Sequence, residues 1–267
     1  VPADALQLLC GPGQTVGAAL VAQPQIAGVV FTGSTPVAKL IERALAAQDG
    51  PIVPLIAETG GINAMLVDSS ALPEQVTDAV VQSAFRSAAQ RCSALRLLCL
   101  HEAIADEVLT MIRGAMAELH VGQPADWRTD VGPLIDSAAA DHVRAQLAQA
   151  QTRARQSYAS FPDTALPGPA WVAPQWLLID HVADVREEIF GPVLHVVRWQ
   201  GEPDAVIEQI NALGYGLTLG LQTRIDSRAQ ALAQLARAGN VYVNRNMIGA
   251  VVGVQPFGGE GLSGTGP

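Results

Sequence analysis

Gly28-Val29-Val30-Phe31-Thr32-Gly33-Ser34-Thr35-Pro36 decides the fold. A short apolar run ends in a turn of glycine and hydroxyl residues, and a proline then opens a helical pattern. Proline is favourable at a first helical position because the N–H it lacks has no intrahelical partner there. The stretch predicts a strand over 28–31 and a helix over 36–47. Outward from it, 52–57 reads as another strand. Upstream, 6–10 reads as a strand, Gly11-Pro12-Gly13 as a turn and 15–21 as a helix. This β-α-β-α-β order points to a parallel sheet of the doubly wound type.

A second series of units follows. Strands are predicted over 63–67, 95–100, 176–179, 192–199, 217–223 and 241–244. Helices are predicted over 72–89, 103–120, 137–156, 204–212 and 227–238, the last stopped by Gly239-Asn240. The segments 122–135 and 162–174 read as loops. The fold class is therefore α/β with a largely parallel sheet, and the break between the two series falls near Gly60-Gly61.

Composition excludes several functions. Of the 267 residues 49% are hydrophobic and only 4% aromatic, a core of Ala, Val, Leu and Ile suited to a sheet covered by helices. The net charge of −9 argues against a nucleic-acid surface, since no basic patch is there to release counterions. Cys10, Cys92 and Cys99 have no CxxC spacing, and the five histidines are scattered, so neither a disulfide scaffold nor a metal site is expected. A reducing, cytoplasmic setting follows. No apolar run reaches the roughly 20 residues of a membrane span.

Cys92 lies in Gln90-Arg91-Cys92-Ser93-Ala94, on a short connection between a helix and a strand. A thiol there is positioned by rigid elements, and Arg91 beside it favours the thiolate. By residue type alone a cysteine is more often a small buried hydrophobe, which is the reading for Cys10 and Cys99. Glu58 ends an apolar strand before Thr59-Gly60-Gly61, where desolvation raises a carboxylate toward the range of a general base. Gly33 and Ser34 sit where a helix N-terminus presents N–H groups to a phosphate. Glu187-Glu188-Ile189-Phe190-Gly191-Pro192 puts an acid and an aromatic ring ahead of a strand, suited to ribose hydroxyls and a flat ring. The glycine-punctuated run from Gly249 and Ala250 through Gln255-Pro256-Phe257-Gly258-Gly259 offers backbone N–H groups to an anion.

Each signal also fits an ordinary capped helix, turn or loop. Taken in order, with Glu58 lying 34 residues before Cys92, they resemble the aldehyde dehydrogenase superfamily. Cys92-Ser93 and the Gly249-Ala250 run resemble its 1-pyrroline-5-carboxylate (glutamate semialdehyde) dehydrogenase branch. Gly258-Gly259-Glu260-Gly261-Leu262-Ser263-Gly264-Thr265-Gly266-Pro267 resembles the bacterial bifunctional proline-utilisation proteins. In those, the dehydrogenase follows an FAD-dependent proline dehydrogenase module that has no counterpart in this sequence.

The resemblance implies the remnant of a Rossmann-type NAD domain over 1–60, a catalytic domain over 61–257 and a return segment over 258–267. It implies Cys92 as nucleophile and Glu58 as the base that activates water. It implies Gly33 and Ser34 on the NAD pyrophosphate, Glu188 on a ribose and Phe190 near the nicotinamide. Ser93, Gly249 and Ala250 would hold the substrate carboxylate, and Phe257 its aliphatic stem. The parent is expected to be a homo-oligomer acting on a small molecule. An aldehyde dehydrogenase for another aldehyde, and a non-catalytic truncated module, remain alternatives. The family's oxyanion asparagine, its first βαβ units, the lysine that contacts the adenosine ribose and its oligomerisation hairpin have no counterparts here. The chain is therefore expected to be a fragment, inactive or nearly so by itself. Removing one oxyanion donor alone costs about 10²–10³ in turnover.

Overall fold

The structure is a computed structural model that describes Pro2 and residues 4–266. Val1, Ala3 and Pro267, at the ends of the expected domains, lie outside the described residues. The chain forms two compact units, Val1–Thr59 and Gly60–Pro267.

In the first unit, a π-turn over Gly13–Gly17 runs into the short helix α1 (Ala18–Val21). Strand β1 (Val29–Thr32), helix α2 (Thr35–Ala46) and strand β2 (Leu55–Glu58) follow. β1 and β2 pair in parallel with Val29 opposite Leu55 and Thr32 opposite Glu58, which with α2 between them makes a βαβ unit. The strand expected over 6–10 does not form, because nothing pairs with that segment among the described residues. Cys10 is accordingly exposed rather than buried.

The second unit is built on a seven-stranded sheet. In chain order its elements are β3 (Asn63–Val67), α3 (Pro73–Phe85), β4 (Leu95–His101), α4 (Glu102–Ala117), α5 (Ser137–Gln151), β5 (Gln156–Ala159), β6 (Gln175–Ile179) and β7 (Val193–Trp199). There follow α6 (Pro203–Ala212), β8 (Tyr215–Gly216), β9 (Thr218–Gln222), α7 (Asp226–Leu235), β10 (Asn240–Val243) and β11 (Glu260–Gly261). The sheet runs β10-β9-β3-β4-β7-β6-β5. Every pairing is parallel except β5 with β6. β11 pairs antiparallel with β8 as a separate ribbon.

Strands β3 and β4 are buried along nearly their whole length. One face of the sheet packs Met65, Leu98, Leu100 and Val196 against α3 and α4, with Val76, Val80, Val108 and Ile112 facing inward. The other packs Leu66, Leu97, Cys99 and Val197 with Val206, Ile207, Ile210 and Leu232 of α6 and α7. Cys99 belongs to this core, and burial pushes its thiol up to about 12.

Four predicted helices end early, those over 103–120 and 227–238 at Ala117 and Leu235. The one expected over 137–156 stops at Gln151, and Gln156–Ala159 becomes β5. The one expected over 72–89 stops at Phe85, where Ser87, Ala88 and Ala89 turn left-handed at φ 56°, 49° and 56°.

The sheet order reverses between β3 and β9, which makes the carboxyl ends of these strands a topological switch point, where ligands usually bind. Here the crevice is filled from within. Asp68, 2% exposed, follows β3. It accepts from Ser70 at 2.8 Å, from Thr223 at 2.8 Å and from Arg228 at 2.7 Å. Asn244 (φ 52°) brackets Thr223 by accepting from its N–H and donating to its carbonyl. Burial pushes the Asp68 carboxyl up, but the Ser70, Thr223 and Arg228 bonds outweigh it and hold the group at about 2.

Because the folded value lies below the ordinary 3.8, the stabilisation is complete above that value and is lost as pH falls toward 2. Asp68→Asn is expected to lower stability at neutral pH by about 2 kcal/mol. It should also flatten the acid limb of the stability profile. Urea unfolding between neutral pH and the acid limit checks this, and an unchanged acid limb would contradict it.

Candidate active site

Gly33, Ser34 and Glu58 gather at one end of the β1–β2 pair. The Gly33 N–H donates to the Glu58 carbonyl at 3.1 Å, just beyond the Thr32–Glu58 register pair. Ser34 is the N-cap of α2 in extended geometry, and its side chain makes no capping bond. Ser34 therefore supplies no side-chain acceptor to the first turn of this 12-residue helix. A side chain at Gly33 would displace the Phe31 ring. Extended cap, unused hydroxyl and missing side chain fit a pyrophosphate at a helix N-terminus.

In the second unit, the connection from α3 to β4 carries Cys92 and Ser93. The three left-handed residues redirect the chain. Each costs on the order of 1–2 kcal/mol for a residue other than glycine, so tertiary bonds must hold them. Arg96, on β4 and 1% exposed, supplies those bonds. It donates to the carbonyls of Ala89 at 2.8 Å, Arg91 at 3.3 Å and Gly191 at 3.3 Å. It also pairs with Glu188 Oε1 at 3.3 Å, and its guanidinium lies 5.3 Å from the centre of the Phe190 ring. From the other side Asn63 Nδ2 donates to the carbonyls of Cys92 at 2.6 Å and Ala94 at 2.9 Å. Asn63 Oδ1 accepts from the Thr218 N–H at 3.2 Å, and Thr218 Oγ1 donates to the Ser93 carbonyl at 3.5 Å. Cys92 is half-buried and Ser93 buried.

The charges follow from this packing. Burial raises the Glu188 carboxyl above its ordinary range, with Arg96 and the Gly61 N–H partly opposing. A side chain at Gly60 would overlap the Glu188 carboxylate, so the Gly60-Gly61 turn is shaped to it. Burial lowers the Arg96 pKa, opposed first by Glu188 and then by Cys92. The guanidinium coupled to the Cys92 thiol is thus Arg96. Arg91, the neighbour in sequence, points elsewhere, to Ser87 Oγ at 3.2 Å and the Ile248 carbonyl at 3.5 Å. Phe190, 44% exposed, keeps one side of its ring open, which suits a flat cofactor ring.

The segment after β10 completes the neighbourhood. Asn246 Nδ2 donates to Gln82 Oε1 and the Met247 N–H to Ser83 Oγ, which lays the chain along α3. That brings the Ile248 carbonyl to Arg91, with Gly249 and Ala250 next in the chain. A side chain at Gly249 would crowd the Arg245 guanidinium. Asn240 Nδ2 holds the Pro256 carbonyl at 2.8 Å and its Oδ1 accepts from the Gly258 N–H at 3.4 Å, which brackets half-buried Phe257. Gly239 carries no side chain because the Gly258 carbonyl passes there. Among the described residues no three His, Cys, Asp or Glu side chains cluster as metal ligands do. No helix is long and apolar enough to cross a membrane.

The structure therefore brings the Cys92–Ser93 connection, Glu188 and Phe190 together around Arg96, and ties Ile248, the residue before Gly249, to the same connection through Arg91. Sequence reasoning missed Arg96 and Asn63. Each is a polar residue at or inside an apolar strand, and that mismatch was the available signal.

The aldehyde dehydrogenase family profile matches residues 1–267. The chain is 52% identical to the bifunctional protein PutA of Klebsiella aerogenes, over 100% of its own length and 21% of that protein. It is 34% identical to the 1-pyrroline-5-carboxylate dehydrogenase of Bacillus cytotoxicus, over 99% of its own length and 52% of that protein. A crystal structure of a Bradyrhizobium japonicum proline utilization A (PutA) mutant superposes with a TM-score of 0.95 at 57% identity, covering the whole chain and 27% of that protein. A 1-pyrroline-5-carboxylate dehydrogenase from Thermus with bound NAD superposes at 0.86 with 32% identity, covering 96% of the chain and 50% of that protein. This chain belongs to the aldehyde dehydrogenase family. It spans about a fifth of the curated PutA proteins and about half of the shorter dehydrogenases it matches.

Arg96→Met keeps the volume but strips four acceptors of their donor. It is expected to cost about 3–5 kcal/mol in urea unfolding. Adding Glu188→Gln removes the stranded charge, so the double variant should lose less than the sum of the single losses. Strict additivity would show that the pair is not coupled.

Proposed function

We propose that this chain supplies the nucleophile, the deacylating base and a share of the cofactor and substrate contacts for an NAD-dependent oxidation. The substrate is L-glutamate γ-semialdehyde, the open form of 1-pyrroline-5-carboxylate, and the product is L-glutamate. That is the second step of proline catabolism. The observation that carries this reading is the convergence on Arg96 of the Cys92 connection and the Glu188–Phe190–Gly191 segment.

Cys92 attacks the aldehyde carbon as a thiolate and forms a thiohemiacetal. NAD, when bound, takes up the hydride that this carbon gives up, which leaves a thioester on Cys92. Gly33 and Ser34 are the residues for the pyrophosphate, Glu188 for ribose hydroxyls and Phe190 for the nicotinamide side. The Glu188 carboxylate has lone pairs beyond those that Arg96 and Gly61 use, so it can accept from hydroxyls without leaving its place. Glu58 takes a proton from water, whose oxygen adds to the thioester carbon and expels the thiolate. Ser93, Gly249 and Ala250 hold the distal carboxylate, and Phe257 lies along the aliphatic stem. The same reading has the chain act within a cytoplasmic homo-oligomer, beside a proline dehydrogenase module that holds the FAD.

NADH formation from 1-pyrroline-5-carboxylate by the protein that contains this chain tests the proposal. Cys92→Ser is expected to lower the rate by about 10³-fold or more. Glu58→Gln should keep a first-turnover burst of NADH while steady turnover falls about 10²–10⁴-fold. An active Cys92→Ser variant, or a Glu58→Gln variant with normal steady turnover, would overturn it. An uncharged aldehyde oxidised as efficiently as the anionic one would refute the substrate but not the mechanism.

A further inference from the structure

Two guanidinium groups beside the Cys92 connection are absent from the roles above. Arg91 is exposed and adjoins Cys92 in the chain. Its Nη1 donates to the Ile248 carbonyl and its Nε to Ser87 Oγ, both neutral acceptors. Arg245, also exposed, donates from Nε to the Asn246 carbonyl at 3.2 Å, and its guanidinium lies 5.3 Å from the centre of the Tyr242 ring. Its Nη2 lies 2.7 Å from where a Cβ on Gly249 would be. Ile248 and Gly249 are thus flanked by one guanidinium on each side.

Neither is neutralised. Among the described residues the ion pairs of this chain involve Lys39, Arg96, Arg128, Arg144, Arg155, Arg198 and Arg228, and not Arg91 or Arg245. In a chain with 25 acidic and 16 basic residues, two cations outside these ion pairs, one on the Cys92 connection and one on the segment after β10, both lie against Ile248 and Gly249. Their side chains are spent on a carbonyl and a ring face, which hold them in place and leave their charge uncompensated.

We infer that Arg91 and Arg245 form a two-cation rim that draws carboxylate-bearing reactants to Cys92 and selects them over uncharged ones. This goes beyond the backbone and hydroxyl contacts proposed for Ser93, Gly249 and Ala250, and it rests on that loop lining the approach to Cys92. Rim charges act mainly on encounter and fade with salt. At a separation of about 10 Å in low salt, well inside the Debye length, each cation is worth roughly a 1.5- to 2-fold change in the local concentration of a monoanion.

Alkylation of Cys92 by iodoacetate and by iodoacetamide reads this without any turnover. The two reagents differ in charge and share their chemistry, and exposed Cys10 is an internal reference in the same molecule. Peptide-resolved mass spectrometry gives the rate ratio at each thiol. The iodoacetate-to-iodoacetamide ratio at low salt is expected to be several-fold higher at Cys92 than at Cys10. Arg91→Gln with Arg245→Gln should bring it down about two- to four-fold, high salt should do the same, and lysine at both positions should preserve it. Equal ratios at the two cysteines, an unchanged ratio in the double glutamine variant, or no modification of Cys92 by either reagent would overturn the inference. A charge-dependent ratio in a protein that oxidises no semialdehyde would keep the rim and refute the proposed function alone.

Discussion

A single cation out of water organises the second unit. Arg96 cannot give up its proton at any ordinary pH, so its donors must find acceptors inside the protein. Its terminal nitrogens find them on two segments far apart in sequence, the α3–β4 connection at Ala89 and Arg91 and the entry to β7 at Glu188 and Gly191, while its buried Nε has none. The demand runs both ways. The Ala89 carbonyl would be an orphan without it, and the buried Glu188 carboxylate would be an uncompensated charge. A contact of this kind adds little net stability over an apolar core, but it fixes which backbone lies next to which. The connection that carries the thiol and the acid-aromatic pair stay in register because both contact one rigid planar group.

The same unit uses the two edges of its sheet in opposite ways. At the carboxyl ends of β3 and β9 the crevice that the topology creates is filled by Asp68, Ser70, Thr223 and Arg228, which satisfy one another. At the amino ends, the connections entering β3, β4, β7 and β9 carry Asn63, Cys92–Ala94, Glu188–Gly191 and Thr218. Strand starts present backbone groups that the ladder does not use. Asn63 spans two of those connections, holding the Cys92 and Ala94 carbonyls with one end and the Thr218 N–H with the other. Polar side chains thus close one edge and equip the other.

What the sequence made legible follows from the same division. β3 reads to the residue over 63–67 because a strand buried on both faces is an unbroken apolar run. The residues proposed for chemistry were legible because small and polar types interrupt such runs at fixed intervals. β5 was hidden, since Gln156-Ser157-Tyr158-Ala159 lies at the sheet edge, largely exposed, and has no periodic apolar face. The turn after α3 was hidden for a different reason. Ser87-Ala88-Ala89 has good helical propensity, and bonds from Arg91 and Arg96 farther along the chain hold it otherwise, so no local rule reveals it. The strand expected over 6–10 has the right composition and lacks a partner. Arg96 itself sits in Leu95–His101, where one charge in an apolar strand was visible but its four acceptors were not.

The left-handed turn also limits how this sequence can vary. At φ near 50° a β-branched side chain crowds its own backbone, whereas glycine, asparagine and aspartate adopt the geometry with little penalty. Ala88 and Ala89 are also sealed in the core, which rules out anything much larger than a methyl group. Substitutions tolerated at 87–89 are therefore confined to very small or short polar residues, although nothing there is a reacting group. A survey of random variants would find this stretch as intolerant as the thiol it leads to, and for a steric reason.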